Sequence, residues 1–351
     1  MHTTMKRMNH EMAVSPIVAT LVLIVVAVIG AVAVGTIMGT FSSDVSKQAN
    51  ANQASDASAT HILIAGSTTV YPASLNLASD YESQHPGIKI DVQGGGSGAG
   101  IAAAGQGIAD IGASSSALTQ ANLATYPNLV SYQIGARSVV FIANKNSQAL
   151  TGTLAKSDLA AWIPAASGTN LTATGYGQFI DTLVQRSDAS GTESTAAGWI
   201  SANGYSGDNA FDNVVIKTKP QNGNAGVVSE INSNSAGNEL GFADLGYIYD
   251  TNGVIKSTAS NIKVLALTDG TNTYTYTSGA TLRANALASV KAMLAGTPQT
   301  ANWPQSLDSQ LLYVTNGQPS SVVKSFITFA QSPSGGADIQ AAGDFANSEL
   351  S

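Results

Sequence analysis

Gly66-Ser67-Thr68-Thr69-Val70-Tyr71-Pro72, followed by Gly94-Gly95-Gly96-Ser97-Gly98-Ala99-Gly100-Ile101, is the pair of stretches from which the fold is read. Each follows a strand-like run and precedes a helix-like one. Residues 61–65 are largely apolar, and Ile88, Ile90 and Val92 alternate with polar residues. Helices are expected to begin near Ala73 and near Ala99. Such junctions aim unpaired backbone N–H groups, the positive end of a helix dipole and short hydroxyls at one spot, which suits an oxyanion. Gly and Ser also serve in plain turns. A third hydroxyl-rich junction, Gln185-Arg186-Ser187-Asp188-Ala189-Ser190-Gly191-Thr192, with a helix expected from about Thr192, favours the anion reading.

At 351 residues the chain has room for two domains and an appendage. Its 15 Lys+Arg against 22 Asp+Glu, a formal charge of −7, argue against a nucleic-acid partner. Only 11% of residues are charged, and small residues abound, a palette suited to a secreted or cell-surface protein. The absence of cysteine excludes disulfides, thiolate zinc sites, cysteine nucleophiles and a lipidated N-terminal cysteine. Of the four histidines, His2 and His10 precede an apolar segment, and His61 and His85 alone assemble no metal cluster.

That segment, residues 17–41, contains no charge and exceeds the roughly 20 apolar residues that cross a bilayer as a helix. Ser15-Pro16 supplies a capping hydroxyl and a first-turn proline. Lys6 and Arg7 hold the N-terminus in the cytoplasm and put everything after Phe41 outside. Ala13-Val14-Ser15-Pro16-Ile17-Val18-Ala19-Thr20-Leu21 resembles the N-terminal domain of archaeal type IV pilin-like proteins. The resemblance implies a class III signal, cut near Met12 or Ala13, with the hydrophobic helix retained. Gly35 and Gly39 form a small-xxx-small pair suited to close helix approach. Residues 42–60 are Ser, Asp, Asn, Gln and Ala with few large apolar side chains, a flexible tether.

Beyond the tether, strand-like and helix-like stretches alternate, as in an α/β fold. Asp110-Ile111-Gly112 closes the first βαβ unit and leads into Ala113-Ser114-Ser115-Ser116, while Val322, Val323, Phe326, Ile327 and Ala330 form a helical apolar stripe. These residues together resemble the phosphate-binding proteins of phosphate ABC transporters, a branch of the periplasmic-binding-protein type II fold. The pieces that carry the resemblance are residues 66–72, 94–101, 110–115 and 186–192, then Gly223-Asn224-Ala225-Gly226-Val227 and Leu240-Gly241-Phe242. The tail adds Leu311-Leu312-Tyr313-Val314 and Ser332-Pro333-Ser334-Gly335.

The resemblance implies two α/β lobes behind an N-terminal transmembrane helix. The expected organisation is a leader at 1–12, an anchor helix at 13–41 and a linker at 42–60. Lobe I takes 61–138 and 247–351, lobe II takes 139–246, and the crossings fall near 137–142 and 241–247. Phosphate is the implied ligand, captured outside the membrane and delivered to the permease of an ABC importer. By position the implied ligand-binding residues are Thr68, Thr69, Ser97, Ser114, Ser115, Ser190, Gly191 and Thr192, with Arg186 as charged donor oriented by Asp188. Arginine is scarce after the anchor, at Arg137, Arg186 and Arg283 only, so one inside the motif is informative. Its planar fork matches two phosphate oxygens. Many relatives have aspartate where this chain has Ser115, a carboxylate that accepts the proton phosphate carries and sulfate lacks. Ser115 is therefore expected to relax discrimination against fully ionised anions, which leaves other tetrahedral oxyanions open.

No cofactor and no enzymatic activity are expected. Ser97 and Ser190 lack a neighbouring histidine, no Gly-x-Ser-x-Gly elbow occurs, and the faint dinucleotide pattern at Gly98, Gly100 and Ala103 has no acidic partner downstream. The alternative reading is a pilin-like surface or adhesion subunit carrying an oxyanion-binding module.

Overall fold

The computed structural model describes residues 60–147, 153–171, 180–298 and 302–351. The expected leader, the anchor helix and the linker up to residue 59 lie outside the described residues. Among the described residues no helix is long and apolar enough to cross a membrane.

The strands β1 (Thr60–Gly66), β2 (Ile88–Gly94) and β3 (Ile111–Ser114) pair in parallel, β1 lying in the middle. Parallel neighbours need a crossover, and here each crossover is a helix. Tyr71–Gln84 joins β1 to β2 and has Pro72 in its first turn, where the missing N–H costs nothing. Ser97–Gly105 joins β2 to β3 and starts after Gly96, whose φ of 90° is the left-handed region. Both helices begin close to the expected positions.

Next comes β4 (Leu129–Asn144), which is buried without a break from Ile134 onward, as a strand covered on both faces must be. Its partners change along its length. Up to Ser138 it runs antiparallel to β12 (Asp308–Asn316), and from Val139 it runs antiparallel to β8 (Glu239–Asp244). One strand thus belongs to both lobes. In the second lobe β6 (Thr182–Arg186) lies between β7 (Lys217–Gln221) and β8, all parallel. Its crossover helices are Gly191–Ile200 and Gly223–Ser233. The whole order is β2-β1-β3-β12-β4-β8-β6-β7, and Thr69 and Thr192, just past the carboxyl ends of β1 and β6, meet across the lobes with Asp244 at the end of β8.

The apolar residues separate into two main clusters. Ile62, Ile64, Val70, Leu77, Ile111 and Tyr313 pack in the first lobe with the stripe Val323, Phe326, Ile327 and Ala330, carried by the helix Ser321–Gln331. Val140, Phe141, Trp199, Phe211 and Phe242 anchor the larger second cluster. Ile248, Ile262, Leu267, Leu282, Leu307 and Phe345 join this second cluster, while Leu311, Tyr313, Phe326 and Ile339 belong to the first, so the packing of the chain after 247 is shared between the two. The reason is pairing: β9 (Ile262–Val264) adds antiparallel to Ile142, Ala143 and Asn144. The short strands β5 (Leu154–Ala155), β10 (Leu267–Thr268) and β11 (Thr273–Tyr274) form a separate small sheet with β10 in the middle.

Burial raises the proton affinity of several carboxyls, most strongly at Glu193, Asp308 and Asp344. It pushes Glu193 up to about 7 although two backbone N–H groups, of Phe211 and Arg186, donate to it. It pushes Asp308 up to about 8 against the Ser138 hydroxyl bond of 2.6 Å, and Asp344 up to about 8 with Asp244 nearby adding to the effect. Folded values above the unfolded carboxylate range of about 4 mean that the native state keeps protons the unfolded chain has released. Their stabilisation is complete below about pH 4 and is lost as pH rises through 7 to 8. The urea midpoint of the protein is expected to be lower at about pH 9 than at about pH 6. A midpoint that rises over that interval would show these carboxyls to be ionised in the fold.

Candidate functional site

The junctions after β1, β2, β3 and β6 converge where the lobes touch. A hydroxyl cluster forms first. Ser67 Oγ donates to Ser115 Oγ at 3.0 Å, and Ser97 Oγ lies 3.0 Å from the same atom. Ser97 Oγ also accepts the Ser115 N–H at 3.1 Å, and Ser67 Oγ accepts the Thr69 N–H at 3.2 Å. Gly191, from the other lobe, packs directly on this cluster. A Cβ there would sit 2.7 Å from Ser115 Oγ and 3.0 Å from Ser97 Oγ, so no larger residue permits this approach. Gly96 likewise abuts the second lobe, since a Cβ on it would meet the Ala189 carbonyl oxygen at 1.9 Å.

Beside the cluster lies an ionic pair held by the third junction. Arg186 Nε donates to Asp188 Oδ1 at 2.9 Å, and its Nη2 donates to Asp188 Oδ2 and to Thr68 Oγ1. Asp188 Oδ1 accepts the Gly223 N–H at 3.0 Å as well. The Arg186 side chain is 1% exposed, yet its Nη1 has no hydrogen-bond partner. A buried guanidinium nitrogen without an acceptor is costly, and an anion removes that cost.

A second arginine supports the floor. Arg137, on the shared strand β4, pairs through Nη1 with Asp244 Oδ1 at the end of β8, both fully buried. Its Nη2 donates to the Ser115 carbonyl at 2.8 Å and to the Gly191 carbonyl at 3.0 Å, which ties one residue of each lobe to the crossing strand. Asp244 Oδ2 accepts from Thr69 Oγ1 at 2.8 Å, from Thr192 Oγ1 at 3.0 Å and from Asn224 Nδ2 at 2.5 Å. Thr69 and Thr192, from opposite lobes, are themselves 3.0 Å apart.

The structure therefore brings Thr68, Thr69, Ser97, Ser115, Arg186, Asp188, Gly191 and Thr192 together. Two expected residues stand apart in their side chains. Ser114 Oγ turns back onto its own turn, donating to the Ser116 carbonyl at 2.8 Å. Ser190 Oγ caps the helix Gly191–Ile200 by accepting the Glu193 N–H at 3.2 Å. Four participants are additional: Ser67, Arg137, Asn224 and Asp244. Ser67 and Asn224 lie inside quoted motifs, and the scarcity of arginine was a signal for Arg137. Asp244 had none, because an aspartate at a strand end is ordinary. Among the described residues no group of His, Asp and Glu is arranged to hold a metal ion.

The comparisons with known proteins agree with this architecture. The family model of the PBP superfamily domain matches residues 51–334. The chain belongs to the PBP superfamily. No curated protein sequence matches it. Among solved structures, a Clostridium perfringens protein with bound phosphate is 17% identical, with a TM-score of 0.58, covering 82% of this chain and 99% of that one. An ABC-type phosphate transport receptor from Vibrio cholerae is 19% identical, TM-score 0.55, covering 81% and 99%. A human phosphate-binding apolipoprotein is 18% identical, TM-score 0.57, covering 81% and 90%. At such identities these likenesses establish the two-lobed α/β fold of this PBP superfamily member.

Proposed function

We propose that this PBP superfamily protein captures inorganic phosphate between its lobes and delivers it to the permease of an ABC importer. The N-terminal segment holds it on the outer face of the membrane. The observation that carries the reading is the buried, unpartnered Nη1 of Arg186, whose Nη2 bonds the Thr68 hydroxyl, on a junction that converges with the Ser67, Ser97 and Ser115 hydroxyl cluster. Phosphate is strongly hydrated, and its transfer from water is affordable only where hydrogen bonds replace that hydration. One guanidinium, several hydroxyls and the backbone N–H groups of helix starts supply such bonds with little net charge. The phosphate named in the related structures supports this choice of ligand. The uncharged segment 17–41 behind Lys6 and Arg7 supports the anchored topology. The role is binding and release, and nothing in the site is asked to break a bond.

Calorimetric titration of the purified full-length chain tests the reading. Phosphate is expected to saturate one site per chain. Absence of binding heat, together with an unchanged melting temperature in millimolar phosphate, would refute it.

A further inference from the structure

We propose that the seam between the lobes carries a second binding site, a groove that takes a small amphipathic carboxylate and, once filled, tightens the hold on phosphate. The coupling rests on the phosphate reading above, whereas the groove stands without it. It is a cavity of about 570 Å³, within the roughly 300–1,000 Å³ usual for small-molecule pockets. Its walls come from different lobes. Asn76 and Ala342 line it from the first-lobe helices Tyr71–Gln84 and Pro333–Ala342. Asn76 Nδ2 ties those helices together by donating to the Asp338 carbonyl at 3.2 Å. Val228 and Ser229 line the groove from the second-lobe helix Gly223–Ser233, and Tyr247 lines it from the chain just after β8.

The ligand class follows from the lining. Among the described residues that line the groove, Lys256 is the one charged side chain, and most of the surface around it is apolar. Its Nζ donates to the Ala342 carbonyl at 3.2 Å, which leaves two of its three N–H groups for an occupant. Among the described residues no carboxylate forms an ion pair with it. Asp344 and Asp250 are near enough to favour its charge, and Arg283 opposes them. Asp344 is itself pushed up to about 8 by burial, so at neutral pH it brings little charge. Asp250 Oδ1 accepts the N–H groups of Asn252 and Val254 at 2.9 and 2.8 Å. Burial prevails and lowers the proton affinity of Lys256, so an anion beside it restores what desolvation removes. One ammonium balances the single charge of a carboxylate but only half of a doubly charged head. An alkyl chain attached to that carboxylate covers Val228 and Ala342.

Tyr247 links the groove to the anion site. Its hydroxyl donates to the Thr68 carbonyl at 2.9 Å, and Thr68 Oγ1 accepts from Arg186 Nη2. An occupant that touches both walls stabilises the arrangement in which Thr69 and Thr192 are 3.0 Å apart and Arg186 reaches Thr68. A ligand that prefers this arrangement to parted lobes shifts the population toward it, and the coupling is reciprocal. Phosphate therefore binds more tightly when the groove is full, and the carboxylate more tightly when phosphate is bound.

The test is calorimetry on the full-length chain at neutral pH and constant ionic strength, with octanoate as the probe below its micelle-forming concentration. Octylammonium keeps the chain and reverses the charge, and acetate keeps the charge without the chain. Octanoate is expected to bind, octylammonium not to bind, and acetate to bind more weakly. Lys256→Met keeps the stem and removes the charge, and is expected to weaken octanoate binding about tenfold or more. Ser229→Trp, at an exposed position of the second-lobe wall, fills the groove and is expected to abolish it. Saturating octanoate is expected to lower the phosphate Kd of the native chain about fivefold or more, and to leave that of Ser229→Trp unchanged. Absence of octanoate binding, equal binding of octylammonium, or native octanoate affinity in both variants would overturn the site. Octanoate binding with an unmoved phosphate Kd would overturn the coupling. If octanoate binds as expected and phosphate does not bind at all, the phosphate reading falls and the coupling with it, while the carboxylate site stands.

Discussion

Replacing Arg186 with alanine is expected to weaken phosphate binding on the order of tenfold to a hundredfold while the fold survives. A hydrogen bond to a charged group contributes about 1.5–3 kcal/mol, and each 1.4 kcal/mol is about a factor of ten in affinity. Arg186 enters with an Nη1 that no protein atom satisfies, so a bond from it to the anion displaces nothing inside the protein. The remaining nitrogens hold Asp188 and Thr68 in place, and their loss loosens the same wall of the site. The cost to folding is smaller, because Asp188 keeps the Gly223 N–H at 3.0 Å and its side chain is 13% exposed to water. Calorimetry measures the first effect and urea denaturation the second. A native dissociation constant in Arg186→Ala would remove Arg186 from the site. A collapse of stability with unchanged affinity per folded molecule would make it a structural residue.

The parts of this molecule legible in sequence are those where local chemistry and global fold agree. The junctions at residues 66–72, 94–101 and 186–192 announce themselves because a helix start that faces an anion needs small residues and hydroxyls in consecutive positions. All three precede helices in the structure. The stripe at 323–330 was legible for the same reason, since helical periodicity alone sets which residues meet the core. Less legible was the job of each hydroxyl. Ser114 and Ser190 look identical in sequence to Ser115 and Ser97, yet one closes a turn and the other caps a helix. A hydroxyl bonds whichever backbone N–H or carbonyl is nearest, and only the path of the chain decides which that is. Least legible were Arg137 and Asp244. They are 107 residues apart and meet only because β4 and β8 pair at Val139 and Asp244. The chain after residue 247 shows the same limit. Its short strands carry little periodicity, and the pairing of β9 with the far half of β4 is a tertiary choice.

Arg137→Ala is expected to lower the stability of the protein by about 3–5 kcal/mol, the cost typical of removing one partner from a buried ion pair. The size follows from what is left behind. Asp244 would keep its threonine and asparagine donors but lose the one full positive charge that touches it. The Ser115 and Gly191 carbonyls would lose their shared donor, and these belong to opposite lobes. Stability and closure are therefore expected to fail together, with phosphate binding weakened in the same variant although no bond from Arg137 to the anion is invoked. The double variant Arg137→Ala/Asp244→Ala separates the causes. If the uncompensated charge dominates, urea midpoints recover much of the loss, because replacing both partners of a buried pair costs far less than removing one. If the bridge between Ser115 and Gly191 dominates, the double variant stays as weak as the single one. A single variant with native stability would contradict both accounts, since an aspartate 1% exposed cannot remain charged and unpaired at no cost.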